Sequence, residues 1–260
     1  MTISDDPLFS VQGKIAFVSG AGSGLGRAIA IGLAARGAKV GALDFSGEQV
    51  RMVCEEIQTN GGNALPLIAD VRDKAAVAKC LHDLISHYGI PEIIVAAAGI
   101  ARRSPAIEMI EKDWEDVLDV NLTGSWNLVQ LSAAEMIRAD VKGSIIFISS
   151  IASLVGVANG NANYSASKGG INALTRTLAI EWATRGVRVN AVAPTHFRTA
   201  LMEKAIALNP EGEEYFTRNI PIGRMGEPEE LIGTIIYLSS NSSNMVTGTV
   251  LVVDGGHTAR

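Results

Sequence analysis

Read for its apolar positions alone, the chain alternates between two rhythms. Short runs that are apolar almost throughout fall at Ile15–Ser19, Lys39–Asp44, Ala64–Ala69, Ile93–Ala97, Ser144–Ser149, Arg188–Ala193 and Thr249–Val253. Between them, apolar residues recur every three or four positions in Arg27–Arg36, Glu48–Asn60, Asp73–Tyr88, Asp113–Ala139 and Glu227–Ser239. A further stretch opened by Tyr164 carries Ile171, Leu174, Leu178 and Trp182 at the same spacing. Continuous short runs predict strands buried on both faces, and the longer rhythm predicts helices. Strands alternating with helices at this interval predict an α/β fold, a doubly wound, seven-stranded parallel sheet with helices on both faces. Asp113–Ala139 reads as one long helix with Asn121 inside it, where an amide competes for backbone groups. Thr195–Ile220 is irregular, and excursions of this kind usually serve as lids, so residues 195–220 are expected to cover a substrate. No repeat or linker breaks the chain. Residues 1–260 are therefore expected to form one domain, with 1–10 as a flexible arm.

Composition narrows the classes of function. Apolar residues make up 47% of the 260 positions and 27 are glycine, which suits helices packed closely on a buried sheet. A net charge of −5, with no basic cluster longer than two residues, argues against a nucleic-acid partner. Met1–Ser10 is polar and acidic, and no apolar stretch is long enough to span a bilayer, so neither a secretory signal nor a membrane partner is expected. Cys54 and Cys80 fall in helical segments without metal-like spacing, as reduced thiols in a cytoplasmic protein would. His82, His87, His196 and His257 form no ligand cluster, and no metal is expected.

Chemistry enters with the first strand. Ile15–Ser19 runs directly into Gly20-Ala-Gly-Ser-Gly-Leu-Gly26, and an alanine-rich helix follows. In that setting glycines let the backbone approach a pyrophosphate, whose charge meets the helix N-terminus. By itself the turn could serve packing only; its two flanks make it a dinucleotide site. The second strand ends on Asp44, 18 residues after Gly26, where a ribose-binding acid belongs. A carboxylate there accepts from two ribose hydroxyls and repels a 2′-phosphate, and no arginine lies between Asp44 and Arg51. NAD is the expected cofactor, with NADP less favoured. Tyr164 and Lys168 stand at i and i+4 on one helix face. A free phenol, with a pKa of about 10, trades protons poorly at neutral pH. A neighbouring ammonium would draw that value down and make Tyr164 a general acid/base. Ser150, at the C-terminal end of the fifth strand, could hold a substrate oxygen or cap a turn.

Gly20, Gly24, Gly26, Asp70, Asn121, Ser150, Tyr164, Lys168 and the Val-Asp-Gly-Gly ending together resemble the short-chain dehydrogenase/reductase family, over essentially the whole chain from Gly13 to Gly256. The resemblance implies a seven-stranded Rossmann sheet, a bound NAD(P), and hydride transfer between nicotinamide and a carbonyl or secondary alcohol. It implies that Tyr164 is the acid/base and that Ser150 holds the substrate oxygen. Lys168 would bind the nicotinamide ribose and lower the tyrosine pKa, and Asn121 would anchor a relay water. The cofactor would lie along Gly20, Ser23, Gly24, Leu25, Gly26, Asp44, Asp70, Val71, Ala98, Gly99, Tyr164, Lys168, Pro194 and Thr199. Three departures stand out. Ala96-Ala97-Ala98-Gly99 replaces the family's Asn-Asn-Ala-Gly, and Pro194-Thr195 replaces Pro-Gly. Ser150 precedes Tyr164 by 14 residues rather than 13, which implies an extra residue between Val157 and Asn163.

Gly99-Ile-Ala-Arg-Arg103 is the best clue to the small-molecule substrate, since guanidinium groups grip carboxylates with paired hydrogen bonds. The stretch resembles the Ala-Gly-Ile-x-Arg-Arg of gluconate 5-dehydrogenases and 2-dehydro-3-deoxy-D-gluconate 5-dehydrogenases. Arg102 and Arg103 could equally be solvated or pair with Glu108 or Glu111. His196, Arg198, Asn161 and Asn163 could add polar contacts. The reading is NAD-dependent oxidation of a hydroxyl on a sugar acid or related polyol. A 3-oxoacyl carrier-protein reductase shares the scaffold, but Asp44 and the negative net charge speak against it. A non-catalytic NAD-binding sensor is the alternative of another class. The stretches Asn121–Met136 and Ser165–Trp182 are apolar on more than one face, and family members commonly pair these helices, so a homotetramer is expected.

Overall fold

A computed structural model describes residues 7–157 and 160–259. The first six residues of the expected arm and two residues of the loop Val157–Asn163, expected to carry one extra residue, lie outside them. The strands are β1 (Ile15–Ser19), β2 (Lys39–Asp44), β3 (Asn63–Ile68), β4 (Ile93–Ala96), β5 (Gly143–Ile148), β6 (Val187–Pro194) and β7 (Val250–Val253). They form one parallel seven-stranded sheet in the order β3-β2-β1-β4-β5-β6-β7. The expected strands are thus all present, with ends displaced by a residue or so. Ser19 stands opposite both Leu43 and Ala96, and Ala96 opposite Phe147. The C-terminal ends of four strands therefore meet at one edge, where the order reverses between β1 and β4. Open α/β sheets bind their ligands there.

Successive side chains of a strand point to opposite faces, and β1 feeds two cores accordingly. Val18, with Val40, Val95 and Ile146, packs under Ile29 and Leu33 of α1 (Gly24–Ala34) and Ile235 of α9 (Ile232–Ser239). Phe17, with Leu43, Ile94 and Phe147, packs under Leu84 of α3 (Lys74–Tyr88), Leu128 of α5 (Ser125–Arg138) and Leu178 of α6 (Ala162–Trp182). Each such side chain, fully buried, contributes roughly 1.5–3 kcal/mol. Cys54 and Cys80 are buried in these cores, and burial pushes the Cys54 thiol up to about 11. The end of the expected arm is docked: Ser242 N–H donates to Leu8 O at 2.9 Å, and Val11 is buried. No helix among the described residues is long and apolar enough to cross a membrane.

One expected element needs correction. The helix begins at Glu111, and α4 (Glu111–Leu118) passes into α5 through a π-helical turn, Asp119–Gly124. Asn121 is the cause. Its Oδ1 accepts from Ile100 N at 2.8 Å, while its Nδ2 donates to Ile100 O at 3.0 Å and to Ser167 Oγ at 3.1 Å. A fully buried amide that pairs with both polar groups of another segment outweighs the regular ladder of its own helix. Widened turns of this kind recur at functional sites.

Candidate active site

The glycine turn is shaped by close approach. Gly20 has φ +67°, and a methyl added there would stand 2.8 Å from Ala98 Cα. One added at Gly26 would stand 2.1 Å from Gly20 O. The backbone of β1 can therefore curl against the start of α1 only with glycine at both places. Ser23 makes no side-chain cap, which leaves the first N–H groups of α1 to a ligand. Asp44, buried at the end of β2, accepts from Gly22 N and Ser46 N, both at 2.9 Å. Asp70 is forked by Arg72, whose guanidinium holds its carboxyl below the usual range. Asn127 of α5 secures the neighbouring main chain by donating to Val71 O at 3.0 Å. The tip of β4, where the family's asparagines are missing, is held from β1: Ser19 Oγ accepts from Ala97 N and Ala98 N at 3.2 Å each.

The glycine turn, Asp44, Asp70 and the tip of β4 border one cavity of about 920 Å³ at the sheet edge. Of the residues expected from the sequence to touch cofactor or substrate, all but Asn163 and Arg198 line it: Gly20, Ser23, Gly24, Leu25, Gly26, Asp44, Asp70, Val71, Ala98, Gly99, Arg102, Arg103, Ser150, Asn161, Tyr164, Lys168, Pro194, His196 and Thr199. A turn that tolerates no Cβ, a carboxylate 18 positions on and uncapped helix N–H groups fit a dinucleotide. Asn121 does not border the cavity itself but supports its wall. A Cβ built at Gly99 would lie 3.3 Å from Asn121 Oδ1 and 3.7 Å from Lys168 Nζ, so these two groups face the same small space.

Beyond that wall stand Ser150, Tyr164 and Lys168. Ser150 Oγ accepts from Ala152 N–H at 3.2 Å and stands close enough to Tyr164 to favour its phenolate. Lys168 Nζ lies 5.6 Å from the centre of the Tyr164 ring and donates to Ile148 O at 2.7 Å. The expected electrostatics come out with the opposite sign. Burial pushes the Tyr164 phenol above its ordinary value, and the Ser150 hydroxyl and the Arg103 charge oppose this more weakly. The side chain as a whole is only half-buried, yet protein surrounds it closely enough for desolvation to dominate. Burial draws the Lys168 ammonium down to about 8. An amine so weakened, turned toward a carbonyl, does not acidify the phenol in this arrangement. Ser149 and Ser150 are told apart, since Ser149 Oγ turns away to Asn172 Oδ1 at 2.7 Å.

The mouth is built from three segments. Ile100–Ser104 is pinned by Asn121, by Asn163 Nδ2 donating to Arg102 O at 3.1 Å, and by Ser104 N donating to Gly160 O at 3.2 Å. Asn163 is fully buried and also donates to Asp113 O, so it builds the wall rather than meeting a substrate. Arg102 bears electrostatically on Asp116, whereas Arg103 bears on Tyr164 and His196. Neither makes an ion pair with Glu108 or Glu111 among the described residues. Arg198, expected as a polar contact, is instead held by Glu203, Glu213 and Glu227. These pairs tie α7 (Ala200–Ala207) and α8 (Glu214–Thr217) to the chain beyond them. His196 Nδ1 meets Phe216 O at 3.2 Å, and a carbonyl only accepts, so that nitrogen carries the proton and Nε2 is an acceptor in the neutral ring. Burial lowers its pKa and favours that neutral form.

Sequence reasoning missed Phe45, Tyr215, Asn219 and His257, which line the same cavity. His257 is brought there by Asp254, whose carboxylate accepts from Gly256 N, Thr258 N and Thr258 Oγ1. The two histidines that appeared unrelated in sequence have ring centres 6.3 Å apart. The Asp-Gly-Gly run was the available signal, a carboxylate followed by the glycines a tight turn uses.

Residues 20–258 match the family model described as enoyl-(acyl carrier protein) reductase. The chain belongs to the short-chain dehydrogenase/reductase family. Like its relatives there, it is an NAD(P)-dependent oxidoreductase acting on CH–OH or ketone groups. It is 37% identical over 246 residues to a 3-oxoacyl-[acyl-carrier-protein] reductase of Thermotoga maritima, covering 95% of this chain and 98% of that one. Identity is 35% over 252 residues with a 2-dehydro-3-deoxy-D-gluconate 5-dehydrogenase of Escherichia coli, covering 97% and 98%. A gluconate 5-dehydrogenase of Burkholderia cenocepacia, solved in complex with NADP and tartrate, superposes with a TM-score of 0.92 at 32% identity, covering 98% of each chain. Short-chain dehydrogenases acting on acyl carriers and on sugar acids are thus both similar to it.

Proposed function

We propose that this short-chain dehydrogenase oxidises a secondary hydroxyl of a sugar acid or related polyol with NAD⁺, or reduces the matching ketone. The observation that carries the reading is the placement of Arg103. Its charge bears on both Tyr164 and His196 inside the mouth of the cavity. A guanidinium beside the acid/base, with an imidazole acceptor next to it, suits a carboxylate at one end of a hydroxylated chain. Ser150 would hold the reacting oxygen, and Tyr164 would take its proton during oxidation or return it during reduction. Lys168 would bind the nicotinamide ribose and, once turned from Ile148 O, favour the phenolate. Asn121 Oδ1 keeps one lone pair for a relay water beside Lys168. A nicotinamide bound next to these groups supplies or accepts the hydride.

The buried Asp44 carboxylate supports NAD over NADP, since a 2′-phosphate would be brought against it. The chain is one domain, with residues 195–220 closing over the substrate, and it assembles as a homotetramer. An apolar groove lined by Leu122, Trp126, Ala173 and Leu174 on the outer side of α5 and α6 supports that assembly, which light scattering tests. The Thermotoga relative favours a second reading, reduction of a 3-oxoacyl thioester. A panel of aldonates, keto-deoxy sugar acids and neutral polyols with NAD⁺ and NADP⁺, beside acetoacetyl thioesters with NADH and NADPH, decides between them. Turnover of aldonates or keto-deoxy acids with NAD⁺ is the expected result; activity confined to the thioesters overturns it.

A further inference from the structure

Behind Ser150 lies a closed set of polar groups that the proposed chemistry does not use. Ser149, Ser153 and Asn172 surround the turn from β5 into the short 3-10 helix Ile151–Ser153, and both Ser149 and Asn172 are buried. Asn172 stands on α6 four residues after Lys168, one turn further along the same face. Ser149 Oγ donates to Asn172 Oδ1 at 2.7 Å, Asn172 Nδ2 donates to Ser153 Oγ at 2.7 Å, and Ser153 Oγ donates to Ser150 O. Ser149 Oγ also lies 3.1 Å from Ser153 Oγ and 3.5 Å from Lys168 O.

The amide gives this chain a direction. A hydroxyl can donate or accept, whereas Oδ1 only accepts and Nδ2 only donates. Ser153 receives the amide proton, so its own proton goes to the Ser150 carbonyl. That carbonyl and the Ala152 N–H on Ser150 Oγ fix the serine main chain and side chain together. With its main chain and one lone pair so fixed, the serine hydroxyl is held beside Tyr164, where it favours the phenolate.

We propose that Asn172 is a positioning residue, which holds the Ser150 hydroxyl toward Tyr164 through this directed set of hydrogen bonds. The proposal rests on the reading of Ser150 and Tyr164 given above. Removing the amide leaves Ser153 free to turn its proton elsewhere, frees the Ser150 carbonyl and loosens the hydroxyl that favours the phenolate. The consequence reaches the reaction only through Ser150.

A double-mutant cycle tests it, with gluconate and NAD⁺ as the probe pair, or the fastest aldonate of the panel if gluconate is slow. Ser150→Ala is expected to lower kcat/KM by about a hundredfold or more. Asn172→Leu should lower kcat by about tenfold, leave the KM for NAD⁺ unchanged, and move the rising limb of the oxidation pH profile to higher pH. In the Ser150→Ala background it should add less than about twofold. Asn172→Asp has the same size, keeps the acceptor for Ser149 and lacks the donor for Ser153. It should act in the same direction, and it carries the test if the leucine variant does not fold. Independent, multiplying losses in the double variant, or an unmoved pH limb in both Asn172 variants, overturn the proposal. A Ser150→Ala enzyme as active as the parent removes the assignment of Ser150 itself, a different failure seen in the first measurement.

Discussion

The two halves of the cavity are held in place by different physics. Around the glycine turn, position is dictated by backbone sterics: β1, α1 and the tip of β4 approach until no Cβ fits between them. At the mouth, position is dictated by side-chain amides and ion pairs. Asn121 and Asn163 pin Ile100–Ser104, and Arg198 gathers three glutamates around α7 and α8. The first half is rigid because packed backbone has one arrangement; the second can be retuned by exchanging polar side chains. Such a division lets one nicotinamide site serve many substrates.

The largest effect should come from filling the rigid half. Gly26→Ala places a methyl 2.1 Å from Gly20 O, and neither backbone can yield without moving β1 or α1. Loss of detectable dinucleotide binding by calorimetry is expected, with a destabilisation of about 3 kcal/mol or more. Gly233, exposed on α9 with nothing within 4 Å of an added Cβ, is the control. Gly233→Ala should stabilise by about 0.5–1 kcal/mol through helix propensity alone. Comparable losses in both variants would mean that close approach is not what distinguishes this half.

At the mouth, Arg103→Met should raise KM for an aldonate by about ten- to a hundredfold and for a matched neutral polyol by less than about threefold. Arg102→Met should do much less, since that side chain bears on Asp116. Equal effects of Arg103→Met on the acid and the polyol would take the carboxylate away from this arginine.

The same division explains what could be read in the sequence. The strands and the glycine turn follow from local rules, because an apolar run or a glycine-rich turn signals itself wherever it occurs. The π-helical turn at Asn121 and the pinning of Ile100–Ser104 by Asn163 did not, since each depends on a partner that only the fold brings near. Local reasoning also misjudged Tyr164. The i, i+4 lysine was visible, but the protein mass around both groups was not, and burial sets the sign for each.

Lys168 tests that sign through stability. Its pKa is about 8 in the fold against 10.5 for an ordinary lysine, so between those values the unfolded chain binds the extra proton. Stability from this group therefore rises with pH across that window, and its burden is fully present below about 8. Relative to a Lys168→Met variant, the parent should gain up to about 2 kcal/mol between pH 8 and pH 9.5, measured by urea unfolding. Keeping below pH 10 avoids Tyr164, whose raised pKa acts in the opposite direction at higher pH. A constant difference across the range would show that the ammonium is not desolvated.

The smallest effect distinguishes the halves most cleanly. Arg198 is two-thirds covered, but its glutamate partners are 42–51% exposed, so salt screens these pairs. Arg198→Gln should lower Tm by only about 1–2 °C and raise substrate KM about two- to threefold, with the KM for NAD⁺ unchanged. Raising ionic strength to about 0.5 M should bring the parent toward the variant in substrate KM, because the screened cluster no longer holds α7 against α8. Dinucleotide affinity measured on the same two proteins should shift equally in both, since neither the glycine turn nor Asp44 depends on this cluster. A variant whose substrate KM keeps its full distance from the parent at high salt would place Arg198 in direct contact with the ligand, and the mouth would then owe its shape to something other than charge.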